Sequence, residues 1–365
     1  MKKLSLVLLP LLGLLACNSG GGTSNNVEYT YPHNPINVIP VDFRCLPSIP
    51  LTANTSGNST KIAYGDTCRV ATISNPNTQA TLGSMAIALT NSRGIRYCSG
   101  TPISYDQTTG VGYVLSAAHC VIGNNKAANQ HITPKNISIF NGRNYVNQTL
   151  NANVGGTTGV ISAVYVPKQY CQNPEFSMGT CSKLTDQNGD LALLKINVHA
   201  GSVMSVNNQV QLATTAIQPD TPSYILALGY GLTNLKANNT NLFYINYEYF
   251  ATNSFHGETG QSVIMNGYSP SGLNNFYSLI CGGDSGGGDF YWTNNQWHLI
   301  GVHSYGSSIC GKSSPIYTNA ADVSTDIRPF ADQLNDIITA DRTANGCDVN
   351  VANRNNFICA DHATN

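Results

Sequence analysis

The sequence predicts an all-β protein, and three observations carry that prediction. The 365 residues include 34 Gly and 19 Tyr, a combination suited to turns and strands. From about Leu82 onward, short apolar runs recur between Gly, Asn and Pro turns, which is the spacing of many short strands rather than of helices. Charged residues are only 10% of the chain while hydrophobic ones reach 41%, so a core can form and an acidic disordered chain is excluded. A formal net charge of -1 leaves no basic field with which to hold nucleic acid.

Taken in chain order, Met1-Lys2-Lys3 and the apolar run Leu4 to Leu15 have the charged start and short apolar stretch of an export signal. The run is broken by Pro10 and is too short to span a bilayer. It ends Leu14-Leu15-Ala16-Cys17, which resembles the bacterial lipobox, in which the Cys is lipidated and becomes the first residue of the mature chain. The expectation is therefore a signal peptide over 1-16 and a lipid-anchor tether with a pro-segment over 17-69. The tether opens on the Gly/Ser/Asn-rich stretch Asn18 to Asn26. Pro32, Pro35, Pro40, Pro47 and Pro50 in this region oppose regular structure. Such a chain is exported to the cell envelope, facing the periplasm or the surface, touches the membrane only through Cys17, and can be released by processing.

Eleven Cys is an odd count, which lipidation of Cys17 explains. The other ten, Cys45, Cys68, Cys98, Cys120, Cys171, Cys181, Cys281, Cys310, Cys347 and Cys359, form an even set that suits five disulfides in an oxidising compartment. No pair has C-x-x-C spacing, and His131, His199 and His256 have no Cys or His at ligand spacing, so no metal is expected and these histidines read as structural or surface residues.

Strands are expected in the runs Met85 to Leu89, Gly112 to Leu115, Asn136 to Phe140, Leu191 to Ile196, Tyr224 to Leu228, Leu242 to Phe250 and Trp297 to Val302. A late helix is expected from Ser324 or Asp326 as cap, with Ile327, Phe330, Leu334, Ile337 and Ile338 on one face. It closes the main domain, placed at 70-340. Beyond it, the tail 341-365 reads as a small loop closed by Cys347 and Cys359.

Three strings carry chemistry, in the order His, Asp, Ser. Val114-Leu115-Ser116-Ala117-Ala118-His119-Cys120 is a strand running into a small-residue turn that presents an imidazole. Asp190-Leu191-Ala192-Leu193-Leu194-Lys195 sets a carboxylate at the mouth of an apolar strand, where partial burial can orient an imidazole. Cys281-Gly282-Gly283-Asp284-Ser285-Gly286-Gly287-Gly288 surrounds one Ser with glycines that permit tight turns and close approach of backbone N–H groups to a bound carbonyl. A serine hydroxyl is a poor nucleophile until a base takes its proton, and imidazole titrates close enough to neutrality to do so.

These strings resemble those of the chymotrypsin-like (trypsin-fold) serine proteases. The resemblance runs from Leu82 to roughly Ile338 and implies two packed antiparallel six-stranded β-barrels with a C-terminal helix and the active site between the barrels. It implies His119 as general base, Asp190 as orienting acid, Ser285 as nucleophile, and the backbone N–H groups of Gly283 and Ser285 as the oxyanion hole. Cys98-Ser99-Gly100-Thr101 looks like the family's strand before the His, which implies a Cys98–Cys120 bridge. Leu299-Ile300-Gly301-Val302-His303-Ser304-Tyr305-Gly306 looks like its substrate-binding strand, with Cys310 after it to pair with Cys281. Ser304, Tyr305 and Gly306 are then expected to bind an extended peptide. The implied activity is a serine endopeptidase acting as a monomer on peptide or protein substrates, without a cofactor.

Several positions depart from the family's pattern. Leu279 stands where the base of the primary specificity pocket is expected, and trypsin-like proteases have Asp there, so an apolar or small P1 side chain is expected rather than Arg or Lys. The segment between His119 and Asp190, 71 positions apart, contains Cys171 and Cys181 and is read as a disulfide-closed insertion. The new N-terminus of an activated enzyme falls near Arg69-Val70, although Val70-Ala71-Thr72-Ile73 lacks the family's glycines. Cleavage after Arg69 is expected to activate the chain and, if Cys45 pairs with Cys68, to free it from its anchor. Two other readings stand beside this one: a catalytically silent trypsin-fold binding or adhesion lipoprotein, and a serine esterase built on a G-x-S-x-G elbow. The His-Asp-Ser order argues against the esterase, whose acid and His follow its Ser.

Overall fold

The computed structural model describes residues 86–90, 96–124, 138–141, 159–171, 174–175, 180–181, 189–201, 204, 206, 210–214, 224–231, 243–252, 262–266, 280–293, 296–306, 321–341, 343 and 346–361. All of them belong to one unit spanning Ile36–Asn365. The expectations placed on Cys17, Cys45, Cys68, Arg69, Val70, Leu279 and Cys310 lie outside the described residues, as does the side chain of Cys181.

The first half of the chain supplies β1 (Ile87–Thr90), β2 (Arg96–Asp106), β3 (Val111–Ser116), β4 (Gly123–Asn124), β5 (Ser138–Asn141), β6 (Gly159–Pro167), β7 (Pro174–Glu175), β8 (Thr180–Cys181) and β9 (Ala192–Val198). The second half supplies β10 (Val210–Leu212), β11 (Tyr224–Gly229), β12 (Phe243–Thr252), β13 (Ser262–Asn266), β14 (Gly288–Thr293), β15 (Gln296–Gly306) and β16 (Ala321–Asp326). Helix α1 (Ala331–Ala340), helix α2 (Val349–Arg354) and β17 (Phe357–Asp361) follow.

These strands form two closed rings. The first runs β6-β5-β1-β2-β3-β9 and closes through β6 and β9. The second runs β15-β14-β11-β12-β13-β16 and closes through β15 and β16. Every pairing within a ring is antiparallel, so the two six-stranded barrels implied by the sequence are present. Closure gives each of the six strands of a ring a partner on both sides. Each ring also carries a seventh strand. β17 lies antiparallel along Ala163–Pro167 of β6, where β5, paired to Gly159 and Val160, has left the edge. β10 lies parallel along Trp297–Leu299 of β15, before β16 takes over that edge at Gly301.

The apolar runs of the sequence become the most buried strands. Val114, Leu115, Ile161, Val164, Leu193 and Leu194 are all fully buried in the first barrel, and Leu228, Phe290, Leu299 and Val302 in the second. The insertion between His119 and Asp190 is more than a loop: β7 and β8 within it join β4 in a three-stranded sheet.

Two expectations need correction. Ser324 and Asp326 do not cap the late helix. They lie in β16, whose pairing to both β13 and β15 closes the second barrel. Asp326 instead accepts from Arg328 N–H at 3.0 Å at the start of a 3-10 turn, Arg328–Phe330, from which α1 continues without a side-chain cap. The expected apolar face does form, with Ile327, Phe330, Leu334 and Ile337 buried. The second correction concerns the tail, which is more than a small loop. Cys347 and Cys359 are bridged, but the segment they close holds α2 and leads into β17, and Val351 and Phe357 enter the core.

Candidate active site

Antiparallel pairing of β3 with β9 sets Ser116 opposite Ala192. The end of one strand and the start of the other therefore share one rim of the barrel. The residues just beyond them, a 3-10 turn over Ala118–Cys120 and Asp190, meet there. The Cys98–Cys120 bridge, with Cα atoms 6.1 Å apart, ties this turn to β2.

Asp190, 3% exposed, holds His119 at two points. Its Oδ1 accepts from the His119 backbone N–H at 2.9 Å, and its Oδ2 lies 2.7 Å from His119 Nδ1. Ser304 Oγ donates to the same Oδ2 at 2.5 Å, and Thr325 Oγ1 donates to the Asp190 carbonyl at 3.0 Å. Burial pushes the Asp190 carboxyl pKa upward, but the charge and hydrogen bond of His119, with the Ser304 hydrogen bond, outweigh it and hold it below the usual carboxylate value. Ionised Asp190 only accepts, so Nδ1 of neutral His119 carries the ring proton and Nε2 presents a lone pair. For His119, burial pushes the pKa down, and the charge and hydrogen bond of Asp190 push it further up. The imidazole side chain is 35% exposed, so its open side is accessible.

Ser285 arrives from the second barrel on the turn preceding β14. Within the turn, Asp284 N–H donates to the Cys281 carbonyl at 2.9 Å and Gly287 N–H to the Asp284 carbonyl at 2.8 Å. Asp284 is fully buried, its carboxylate accepting from Gly231 N–H at 2.6 Å and Cys281 N–H at 2.8 Å. The turn is then pinned to the first barrel. Ser99 N–H donates to the Ser285 carbonyl at 2.8 Å, and Ser99 Oγ donates to the Gly283 carbonyl at 2.9 Å. Cys120 Sγ lies 3.6 Å from the Ser285 carbonyl oxygen and 3.8 Å from His119 Nε2, so the serine and the open imidazole nitrogen flank one sulfur atom.

Two glycines of the string are required by geometry. Gly283 has φ 98° and Gly286 φ 84°, a region that side chains with a Cβ rarely enter. A Cβ on Gly286 would also stand 2.1 Å from Ser116 Oγ and 2.3 Å from the Ser99 carbonyl. The sequence string is thus the imprint of a turn pressed against the neighbouring barrel.

The structure therefore brings His119, Asp190, Ser285 and Gly283 together. Ser304 and Tyr305 lie on β15, which continues to Gly306 past the end of β14, whose last pairing is Gly288 with Val302. The Ser304 hydroxyl donates to Asp190. Cys171 and Cys281 are each disulfide-bonded. His119 and the Cys98 and Cys120 sulfurs are close enough to resemble a metal cluster, but both sulfurs are consumed in the bridge. His199 is exposed, in keeping with a surface histidine.

Sequence reasoning missed the hydroxyl link from Ser304 to Asp190. It also missed a buried pair, His303 with Asp289, beneath the serine turn. The available signal was chemical for the pair alone: His303 and Asp289 each interrupt an otherwise apolar or small-residue run with an ionisable side chain.

Two antiparallel six-stranded barrels, one offering a His–Asp pair at its rim and the other a glycine-bounded serine, define a trypsin-fold serine protease. The sequence matches the Trypsin family over residues 72–327, and the chain belongs to that family. No curated protein matches the sequence.

Proposed function

We propose that the chain is a serine endopeptidase with Ser285 as nucleophile, His119 as general base and acid, and Asp190 as the group that orients His119 and stabilises its charged form. The observation that carries this reading is the Asp190–His119 contact at 2.7 Å, which leaves Nε2 as the basic nitrogen, with Cys120 Sγ 3.8 Å from Nε2 and 3.6 Å from the Ser285 carbonyl oxygen. In the reaction, Ser285 Oγ forms a bond to the scissile carbonyl carbon and its proton passes to Nε2. The carbon–nitrogen bond then breaks as His119 returns that proton to the leaving amine. Water repeats the sequence on the acyl-enzyme, releasing the carboxylic acid and restoring the serine. The N–H groups of Gly283 and Ser285 receive the oxyanion, each such donor being worth about 3 to 4 kcal/mol of transition-state stabilisation. Side chains and backbone suffice for every step.

The substrate is a peptide or protein laid along Ser304–Gly306, with an apolar or small P1 side chain over Leu279. Export with a lipid on Cys17, and activation by cleavage after Arg69, complete the proposal.

The test is fluorophosphonate labelling of the purified chain before and after limited proteolytic nicking, with the modified residue read by mass spectrometry. Labelling at Ser285 is expected, and His119→Ala should abolish it and lower kcat/KM by about 10⁴-fold or more. Absence of labelling in both forms of a folded wild-type chain would instead favour a catalytically silent trypsin-fold binding lipoprotein. A peptide library cleaved chiefly after Arg or Lys would overturn the P1 assignment alone.

A further inference from the structure

Beneath the turn that carries Ser285 lies a second His–Asp pair, formed by His303 of β15 and Asp289 of β14. Both side chains are fully buried, and His303 Nε2 is 2.6 Å from Asp289 Oδ1. The other ring nitrogen, Nδ1, is 3.1 Å from the carbonyl oxygen of Asp284. A carbonyl oxygen and a carboxylate both only accept. An imidazole between them satisfies both only when each nitrogen carries a proton, so the ring is an imidazolium and the pair with Asp289 is neutral as a whole. Burial opposes that charge, but the charge and hydrogen bond of Asp289, with the charge of Asp284, raise the pKa of His303 above its ordinary value.

The carbonyl gripped by Nδ1 belongs to the Asp284–Ser285 peptide. A trans peptide is planar, with its C=O and N–H pointing in opposite directions, so holding the oxygen fixes the direction of Ser285 N–H. The His303 backbone adds to the hold: Gly286 N–H donates to its carbonyl at 2.8 Å, and its own N–H donates to the Gly287 carbonyl at 2.8 Å. On the proposed reading of Ser285 as nucleophile, on which this inference rests, that N–H is an oxyanion donor. We propose that the His303–Asp289 pair is a positioning device for the oxyanion hole, the imidazolium holding the Asp284–Ser285 peptide plane and Asp289 holding the imidazolium.

Stability alone does not account for the pair. Asp289 Oδ2 and Ser324 Oγ are both buried without a hydrogen-bond partner among the described residues, so the carboxylate depends on His303. Replacing a buried ion pair by apolar side chains is often neutral or stabilising. The pair is therefore a poor way to fill a barrel and a good way to orient a peptide.

A pH dependence follows. Loss of a proton from His303 leaves one N–H for two acceptors; the carboxylate retains it, and the Asp284 carbonyl then faces a lone pair. The ionisable groups facing the ring are Asp289 from β14 and Asp284 from the serine turn. From β16, His303 is opposite the uncharged Ser324, and Asp326 is paired with Arg328. Asp190 reaches β15 through Ser304 and is directed at His119. Deprotonation of His303 thus produces a high-pH decline in activity, separate from the low-pH decline set by His119, which must be neutral to act as a base.

The test uses the full chain with two changes. Asp289→Asn keeps the volume, removes the charge that holds the second proton, and lets the amide N–H donate to Nε2, which leaves the one ring proton on Nδ1. His303→Val with Asp289→Val removes both charges together, because His303→Val alone would strand a buried carboxylate and threaten folding. Rates of peptide hydrolysis and of fluorophosphonate inactivation are followed from about pH 5 to 10, and the ring nitrogens of His303 are observed by NMR. Both variants are expected to fold and keep KM, and the double variant, which removes the hold on the Asp284 carbonyl, is expected to lose about tenfold or more in kcat, bounded by the 10²–10³ seen when a whole donor is removed. The high-pH decline disappears in both variants, and wild type shows two ring N–H protons at neutral pH. Unchanged kcat and pH profile in an active enzyme, or a single ring N–H at neutral pH, overturns this inference and leaves the protease reading standing. Wild type inert to peptide and to fluorophosphonate, nicked or not, overturns the protease reading and this inference with it.

Discussion

Asp190 sets both how strongly His119 binds a proton and where that proton sits. Burial lowers the imidazole pKa, while the charge and hydrogen bond of Asp190 raise it by more. With His119 as the proposed base, which must be neutral to work, activity is expected to rise with pH through this raised value. Asp190→Asn removes the charge, and the low-pH limb is expected to move to lower pH. The plateau falls at the same time by about 10⁴-fold, because the amide can present its N–H to Nδ1 and drive the ring proton onto Nε2, where the serine proton must go. A pH profile of kcat checks both parts. A plateau loss without any shift of the limb would mean that Asp190 orients the ring but does not set its charge. At this scale the sequence was informative for residues embedded in short strings, such as His119 and Ser285. It was silent on His303, whose partners Asp284 and Asp289 come from other segments of the barrel.

The element least visible in the sequence is the tail. α2 has six residues, and β17 has five with only Phe357, Ile358 and Ala360 as apolar members. Its pairing partner, β6, lies nearly two hundred residues earlier, a separation at which no local pattern signals contact. What anchors the junction is a buried polar cluster on the outer side of the first barrel. Lys195 of β9 donates to Asp341 Oδ2 at 2.8 Å, to the Thr343 carbonyl at 2.6 Å and to Thr343 Oγ1 at 2.7 Å. Tyr165 OH also donates to Asp341, and Asp348 N–H donates to Tyr165 OH at 3.1 Å. Both charged side chains of the ion pair are fully buried. Asp341→Ala would therefore leave a buried ammonium without its counter-charge, at about 3 to 5 kcal/mol, read as a shift of the denaturation midpoint. Burial raises the Asp341 carboxyl pKa, but its hydrogen bonds from Lys195, Thr343 and Tyr165 bring it below the ordinary value. A depressed folded-state pKa gives stability that is complete above the unfolded value of about 3.9 and is lost as pH falls through the folded one. Denaturation at neutral pH and in acid should therefore show this loss in wild type and not in Asp341→Ala.

At the scale of the whole molecule, the candidate site exists only because two rings hold one another in register. The barrels were legible through recurrent apolar runs and a family resemblance. The wiring between them was not, because it consists of single polar contacts across more than a hundred residues. Ser304 Oγ and Thr325 Oγ1 reach from the second barrel to Asp190. Ser99 reaches from the first barrel in the other direction: its Oγ donates to the Gly283 carbonyl at 2.9 Å and accepts from Tyr230 N–H at 3.0 Å. Ser99 is fully buried, so removing its hydroxyl leaves a backbone carbonyl and a backbone N–H facing an apolar methyl. Ser99→Ala is expected to lower stability by about 1 to 3 kcal/mol. The Ser99 N–H bond to the Ser285 carbonyl is backbone and survives the change, so the serine stays tethered while Gly283 loses its hold. The change should therefore slow acylation by a substrate that develops an oxyanion, lowering kcat more than it raises KM. Chemical denaturation and steady-state kinetics on one preparation decide the matter. A stability loss with unchanged kcat would show that Ser99 serves only the packing of the barrels. Loss in both would show that the contact joining them also sets the geometry at Gly283.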